Sequence, residues 1–294
     1  MDNYLSPMIL RATPSKYDTT ITEAQLAFNN HLMLLENIRD HNTNTNKISA
    51  FCVGMPKTGT HSIAKIFSRY RSSHEADQIF MIMLLAEKLS GKINAENISN
   101  LLRSRQSLNN LEMDASHYNG AFIKEISHIS PNSRYILTFR EPYSWLDSWF
   151  NQHLNSPNLD ATKVKHLGRK LYFDYGDEYS KHDSVLYEHG LYPLKSYLKF
   201  WDSFNRSVVA SLDSDKLLTL RTQNISTSIG IISNFLKIDK STISNLPTHD
   251  NPTTRHHRIV EKLDSSYVSD LINLICENTI SLLSKMEGSS QYAK

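Results

Sequence analysis

The chain has 294 residues, of which 21% are charged, and its formal net charge is +2. This length allows one large α/β domain or two small ones, each with enough chain for a core. The near-neutral balance argues against a nucleic-acid partner, and the longest apolar run, residues 79–86, is too short to cross a bilayer.

The two cysteines and the first residues bear on location. Cys52 and Cys276 lie far apart in the sequence and do not suggest a disulfide framework. Residues 1–7 lack the basic and apolar regions of a signal peptide. We therefore expect a cytoplasmic protein without a membrane partner, and the oligomeric state stays open.

Hydrophobic periodicity predicts alternating strands and helices. A helix over 20–40 and a polar linker over 41–47 make residues 1–47 an N-terminal extension, and 48–294 a single domain. Strands are predicted at 50–54, 111–116, 134–140 and 216–220, with the tip of another at 72–75. Helices are predicted at 60–70, 79–89, 95–105, 117–129, 142–153, 191–212, 225–236 and 263–286. Residues 154–184 are predicted to be a mobile insertion with one short helix at most. The alternation predicts an α/β fold, with a central parallel β-sheet flanked by helices.

The stretch Gly54-Met-Pro-Lys-Thr-Gly-Thr-His-Ser62 is the strongest functional pattern. It lies between a predicted strand and a predicted helix, where backbone N–H groups and the helix dipole favour a phosphate or sulfate. A Walker A loop has its Lys after the second Gly and directly before Ser or Thr, whereas Lys57 precedes Gly59. The pattern therefore argues against a nucleoside triphosphatase; a tight turn with an incidental Lys is the structural alternative.

A second motif follows the strand predicted at 134–140. Arg140 ends that strand, Pro142 suits the first turn of a helix, and Ser148 lies eight residues after Arg140. A guanidinium and a hydroxyl in this arrangement can bind one phosphate together. Alone, the motif is also compatible with a surface Arg ahead of a helix.

Together the two motifs resemble those of sulfotransferases that use 3′-phosphoadenosine 5′-phosphosulfate (PAPS) as donor. The resemblance covers about residues 49–237, including a late strand and helix at 216–237. The residues that match the 5′-phosphosulfate loop are Lys57, Thr58, Gly59, Thr60 and Ser62, and those that match the 3′-phosphate motif are Arg140 and Ser148.

The resemblance implies a P-loop-like sulfotransferase architecture and an enzyme that moves a sulfuryl group to a hydroxyl or a nitrogen of a small molecule. PAPS would be the co-substrate and adenosine 3′,5′-bisphosphate (PAP) the product, with no metal required. A P-loop kinase or other nucleoside triphosphatase, and a non-catalytic nucleotide-binding module, are the alternatives.

Three departures from the family pattern concern the donor site. His61 stands where the family usually has Thr or Ser, and we expect it to face the donor or the acceptor. Ile63 replaces a Trp that stacks on adenine in some members. The C-terminal Arg-Lys-Gly of cytosolic members is absent, and Arg255 or Arg258 is the candidate replacement for its Arg.

The reaction needs a group that stabilises the leaving nucleotide and a base for the acceptor. Lys57 is predicted to stabilise the charge on the bridging oxygen. Glu75 is the first candidate for the base and His117 the second, followed by His74 and Asp114. His117 oriented by Glu75 or Asp114 is a plausible pair.

The aromatic stretch 171–179 is a candidate lid over the acceptor, although aromatic residues that pack on one another within the insertion explain it equally well. As part of a lid, Asp174, Asp177 and Glu178 would favour a cationic acceptor. A guanidinium-bearing natural product of secondary metabolism, such as a saxitoxin-type alkaloid, would fit that charge.

Overall fold

The computed structural model describes residues 48–156, 162–244 and 255–287. The helix predicted over 20–40 and the linker over 41–47 lie outside these ranges. Five short strands form one parallel sheet in the order β2-β3-β1-β4-β5. They are β1 (Ala50–Cys52), β2 (Ser72–His74), β3 (Met113–Ala115), β4 (Arg134–Phe139) and β5 (Leu217–Arg221). The predicted α/β fold with a central parallel sheet is confirmed.

Eleven α-helices of the described ranges flank this sheet. They are α1 (Thr60–Ile66), α2 (Gln78–Leu89), α3 (Ala95–Asn109), α4 (His117–Ala121), α5 (Ile123–Ile129), α6 (Pro142–Asn155), α7 (Thr162–Phe173), α8 (Ser184–Glu188), α9 (Leu194–Ser211), α10 (Ile229–Leu236) and α11 (Ser265–Met286). None of these helices is both long and apolar enough to span a membrane.

The structure differs from the prediction in the insertion, 154–184, where the 12-residue helix α7 occupies a segment predicted to contain one short helix at most. Val164, Leu167 and Leu171 recur at helical spacing on α7 and pack against the main core. The polar residues between them obscured this periodicity. The predicted helix over 117–129 is also divided, because the backbone at Phe122 leaves the helical conformation.

Alternating side chains of the strands pack into two apolar clusters, one on each face of the sheet. Phe51 and Val53 belong to the larger cluster, whereas Ala50 and Cys52 belong to a smaller one that α1 and α10 cover. Since side chains of a strand alternate between faces, helices on both sides are needed to bury this pattern. The sheet is therefore the buried middle layer of the fold.

The strand order determines where a ligand site can form. From the central strand β1 the chain passes to β2 on one side, and from β4 it passes to β5 on the other side. The crevice between β1 and β4 is therefore a topological switch point, and open α/β sheets bind ligands at the carboxyl ends of their strands at such points. The loops that follow β1 and β4 carry Lys57 and Arg140.

Candidate functional site

The carboxyl ends of the strands face a cavity of about 830 Å³. Each segment that follows a strand contributes a lining residue: Lys57 after β1, Glu75 after β2, His117 after β3, Arg140 after β4 and Thr222 after β5. The topology therefore brings together both predicted phosphate motifs and the two leading candidates for the base.

The loop after β1 is held in an unusual backbone conformation. Lys57 and Gly59 both have positive φ angles, of 66° and 102°. A Cβ atom at Gly59 would lie only 2.5 Å from Cδ1 of Ile225, so this position needs glycine both for its φ and for space. Gly59, Thr60, His61 and Ser62 all line the cavity.

Thr58 differs from its neighbours because it is fully buried and is not one of the residues that line the cavity. Its hydroxyl donates to the Met55 carbonyl at 2.7 Å and lies 3.1 Å from the hydroxyl of Thr138 on β4. The side chain predicted to bind the donor is thus engaged in holding the loop against β4.

Lys57 and Arg140 are two partly buried cations on one wall of the cavity. Burial lowers the pKa of Lys57, and the neighbouring Arg140 lowers it further. Burial also lowers the pKa of Arg140, although Asp147 opposes that shift. Within the described ranges neither side chain forms an ion pair, and Lys57 Nζ donates only to Gln152 Oε1, at 3.2 Å. Two desolvated and unpaired cations make this wall a strong site for anions.

Helix α6 connects the two phosphate motifs. Ser144 and Ser148, four residues apart, lie on the helix face that lines the cavity. Between them Trp145 is buried, and its indole N–H donates to the Pro56 carbonyl at 2.9 Å. The second motif is therefore anchored to the first by a direct hydrogen bond.

Glu75 and His117 form a hydrogen-bonded pair in the same cavity. His117 Nδ1 lies 2.7 Å from Glu75 Oε1, and the second carboxylate oxygen accepts from Gln78 Nε2 at 2.7 Å. Both Glu75 oxygens are thus engaged, whereas Nε2 of His117 is the ring nitrogen not used in this pair. The arrangement has the geometry of a base with its orienting carboxylate.

His61 and His74 extend this pair toward the loop after β1. His74 Nε2 lies 3.0 Å from the Thr60 hydroxyl and 3.7 Å from Glu75 Oε1, and burial lowers the pKa of His74. The ring of His61 meets the ring of His74 edge-on, with 5.1 Å between centroids. His61, which departs from the family pattern of the loop, therefore contacts His74, the residue that precedes Glu75.

Asp114, the remaining candidate for the base, lies outside the cavity. Its Oδ2 accepts from Nη1 of Arg105 on α3 at 2.6 Å, and both side chains are buried. This geometry suits a structural role for Asp114.

Arg255 is exposed and does not line the cavity. Asn155 Nδ2 donates to the Arg255 carbonyl at 2.8 Å, and Asn151 Oδ1 accepts from the His257 N–H at 2.7 Å. These two bonds hold the backbone so that the side chain between them, His256, lines the cavity instead.

The acidic residues of the aromatic stretch also lie outside the cavity. Asp177 accepts from Lys199 at 2.6 Å and from Ser196 at 3.0 Å, while Asp174 and Glu178 are exposed. Glu75 is the one carboxylate among the described residues that line the cavity. Of the stretch, only the Tyr172 side chain does so.

Several lining residues lie outside the sequence motifs of the donor site. Arg169 and Tyr172 come from α7, inside the segment predicted to be irregular, and of these two only Tyr172 belongs to the aromatic stretch predicted to cover the acceptor. Gln152 lies four residues after Ser148 on α6, and Trp149 lies three residues before Gln152, so helical spacing is the one pattern that points to them.

No group of three or more His, Cys, Asp or Glu side chains within the described ranges is arranged to hold a metal ion.

The comparisons with known proteins agree with this geometry. A family model described as "Sulfotransferase domain" matches residues 49–240, about two thirds of the chain. That range contains the loop after β1, the Arg140–Ser148 motif and all five strands. No curated protein matches the chain.

Proposed function

This chain belongs to the sulfotransferase domain family and is therefore a transferase of sulfuryl groups; we propose that its donor is PAPS and its acceptor a hydroxyl or nitrogen of a small molecule. One observation carries the proposal. Lys57 and Arg140, which form no ion pair within the described residues, share a cavity with the hydrogen-bonded pair of His117 and Glu75. The two cations can bind an anionic donor, and the His117–Glu75 pair can take the proton that the nucleophile must lose.

In the proposed reaction the acceptor attacks sulfur in line with the bridging oxygen that leaves. Charge develops on that oxygen as the S–O bond breaks, and Lys57 with the N–H groups of its loop stabilises it. Arg140 and Ser148 bind the 3′-phosphate. His117 takes the proton of the acceptor through Nε2 while Glu75 accepts from Nδ1, and PAP and the sulfated acceptor leave.

The acidic residues of the aromatic stretch do not select the acceptor. Asp174, Asp177 and Glu178 would favour a guanidinium-bearing acceptor, such as a saxitoxin-type alkaloid, only from within the cavity, and none of the three lines it. Glu75 remains the acidic group that a cationic acceptor would meet. We further propose a cytoplasmic location, which suits the buried free thiols of Cys52 and Cys276.

Calorimetric titration with PAP, ATP and GTP tests the donor, and a panel of phenols, alkaloids and amines incubated with PAPS tests transfer by the mass gain of one sulfate. We expect PAP to bind most tightly and Arg140→Ala to weaken its binding. Tight binding of ATP without binding of PAP would indicate a nucleoside triphosphatase. Binding of PAP without transfer to any acceptor would indicate a nucleotide-binding module.

A further inference from the structure

Arg169 is a cation of the cavity wall that the proposed donor site does not use. It lies on α7, lines the cavity and is partly buried. Within the described ranges no carboxylate forms an ion pair with it, and burial lowers the pKa of its guanidinium. A partly desolvated Arg without a partner is costly, so an anion supplied by a ligand would stabilise it.

The described groups that interact electrostatically with Arg169 include no carboxylate. His153 on α6 is mostly buried, and its pKa falls to about 3 because of burial first and then because of Arg169 and His166. The other groups that interact electrostatically with Arg169 are the phenols of Tyr192 and Tyr197. Among the described residues, Arg169 therefore has no acidic neighbour that would neutralise its charge.

Two buried polar groups of the same wall also lack a partner. The indole N–H of Trp149 and the hydroxyl of Tyr172 have no hydrogen bond among the described residues. Both side chains line the cavity, and they are only 8% and 7% exposed. Both groups can donate, so a ligand rich in acceptor oxygens complements this wall better than a cationic one.

Arg169 lies near the proposed base, where the acceptor would bind. Tyr172 follows it by three residues on α7, so the two side chains share one helix face. The Tyr172 ring lies 5.6 Å from the ring of His117, centroid to centroid. Arg169 is thus one helical turn from a residue that contacts the proposed base, whereas Arg140 and Ser148 belong to the segment after β4.

We propose that Arg169 binds a carboxylate or another fixed oxyanion of the acceptor, and that this enzyme sulfates anionic small molecules. The inference rests on the proposed function and specifies its substrate class. The planar guanidinium of Arg169 grips the oxyanion bidentately. The nucleophilic group at the other end of the acceptor then faces His117.

Three phenols of similar size test this assignment, because they differ mainly in charge: 4-hydroxyphenylacetate, its neutral amide and the cationic tyramine. Their affinities are measured by calorimetry with the enzyme saturated with PAP, so the result does not depend on turnover. Wild type should bind the carboxylate about tenfold or more tightly than the amide, since a hydrogen bond to a charged group contributes that much. Arg169→Gln should remove this preference and leave the affinity for PAP unchanged.

Lys170→Gln is the matched control, because it removes one positive charge from the same helix at a residue that does not line the cavity. It should keep the preference for the carboxylate. The inference is overturned if wild type shows no preference for the carboxylate over the amide and tyramine, or if Arg169→Gln weakens PAP binding as strongly as carboxylate binding. Failure of PAP itself to bind would instead refute the proposed donor.

Discussion

Individual residues of the cavity divide its chemistry between two groups. Within the described ranges Lys57 and Arg140 form no ion pair, whereas Glu75 and His117 are hydrogen-bonded to each other. The cations and the His117–Glu75 pair are therefore in different electrostatic environments. Stabilisation of the leaving group and deprotonation of the acceptor can be tested separately.

Lys57→Ala should lower kcat about 100- to 1000-fold, the usual effect of removing one donor from a site that stabilises developing negative charge. Gln152→Ala is the control, because Gln152 Oε1 accepts from Lys57 at 3.2 Å without adding charge. Rates of sulfate transfer under saturating donor measure the effect. A Lys57→Ala enzyme with the wild-type kcat would show that another group stabilises the leaving oxygen.

His117→Ala should lower kcat about 100- to 10,000-fold, the range for loss of a general base, and added imidazole should restore part of the rate. Glu75→Ala should cost less and should not respond to imidazole, because Glu75 orients the ring through Oε1. His189→Ala, at an exposed position outside the cavity, is the control. Rescue of Glu75→Ala by acetate but no rescue of His117→Ala by imidazole would reverse the two roles.

At the scale of elements, the loop after β1 depends on a glycine for its shape. Gly59 has a φ of 102°, and the space where a Cβ would lie is filled by Ile225. Ile225 lies between the edge strand β5 and α10, so the loop after the central strand and the segment after β5 constrain each other.

Gly59→Ala should destabilise the protein by about 1–3 kcal/mol more than Gly91→Ala. Both positions have positive φ and share the backbone strain, but a Cβ at Gly91 meets no heavy atom within 4 Å. The difference is therefore the cost of overpacking against Ile225. Urea unfolding of both variants measures it, and only Gly59→Ala should weaken PAP binding. Equal unfolding free energies would mean that Ile225 yields without cost.

The sequence predicted the elements that carry local signals. The buried β-branched and aromatic residues of β4 and the Lys57–Gly59 turn are readable one segment at a time. The lining residues of α7, Arg169 and Tyr172, are not readable in this way. The residues that complete the cavity around Arg169 come from other segments, and polar residues obscure the helical periodicity of α7. Thr58 shows the converse: it fits the motif, but packing against Thr138 buries its hydroxyl.

At the scale of the whole molecule, His153 couples stability to pH. Its pKa is lowered to about 3 by burial and then by Arg169 and His166, and its Nδ1 is buried without a partner. Between pH 3 and 6.5 the unfolded chain binds a proton at His153 that the folded protein does not bind. Stability contributed by this residue is therefore complete above pH 6.5 and is lost as the pH falls.

His153→Phe should consequently reduce the loss of unfolding free energy between pH 7.5 and pH 5 by about 2 kcal/mol relative to wild type. Urea unfolding at both pH values provides the four free energies that are needed. His128→Phe, at an exposed position on α5, is the control and should behave as wild type. If His153→Phe and wild type lose the same free energy, His153 is protonated in the folded state at pH 5.

The hydrogen bond from Trp145 to the Pro56 carbonyl fixes more than the local position of α6. It sets the span between the loop after β1 and the serine face of α6 before any ligand arrives. The site therefore selects ligands by the distance between their two anionic groups. If the donor is PAPS as proposed, its two anionic groups bind a site that folding has already ordered, so binding does not carry the entropic cost of ordering the protein. A nucleotide with only one of these groups would leave half of the span empty. We therefore expect the folded chain itself to discriminate between donors of different length.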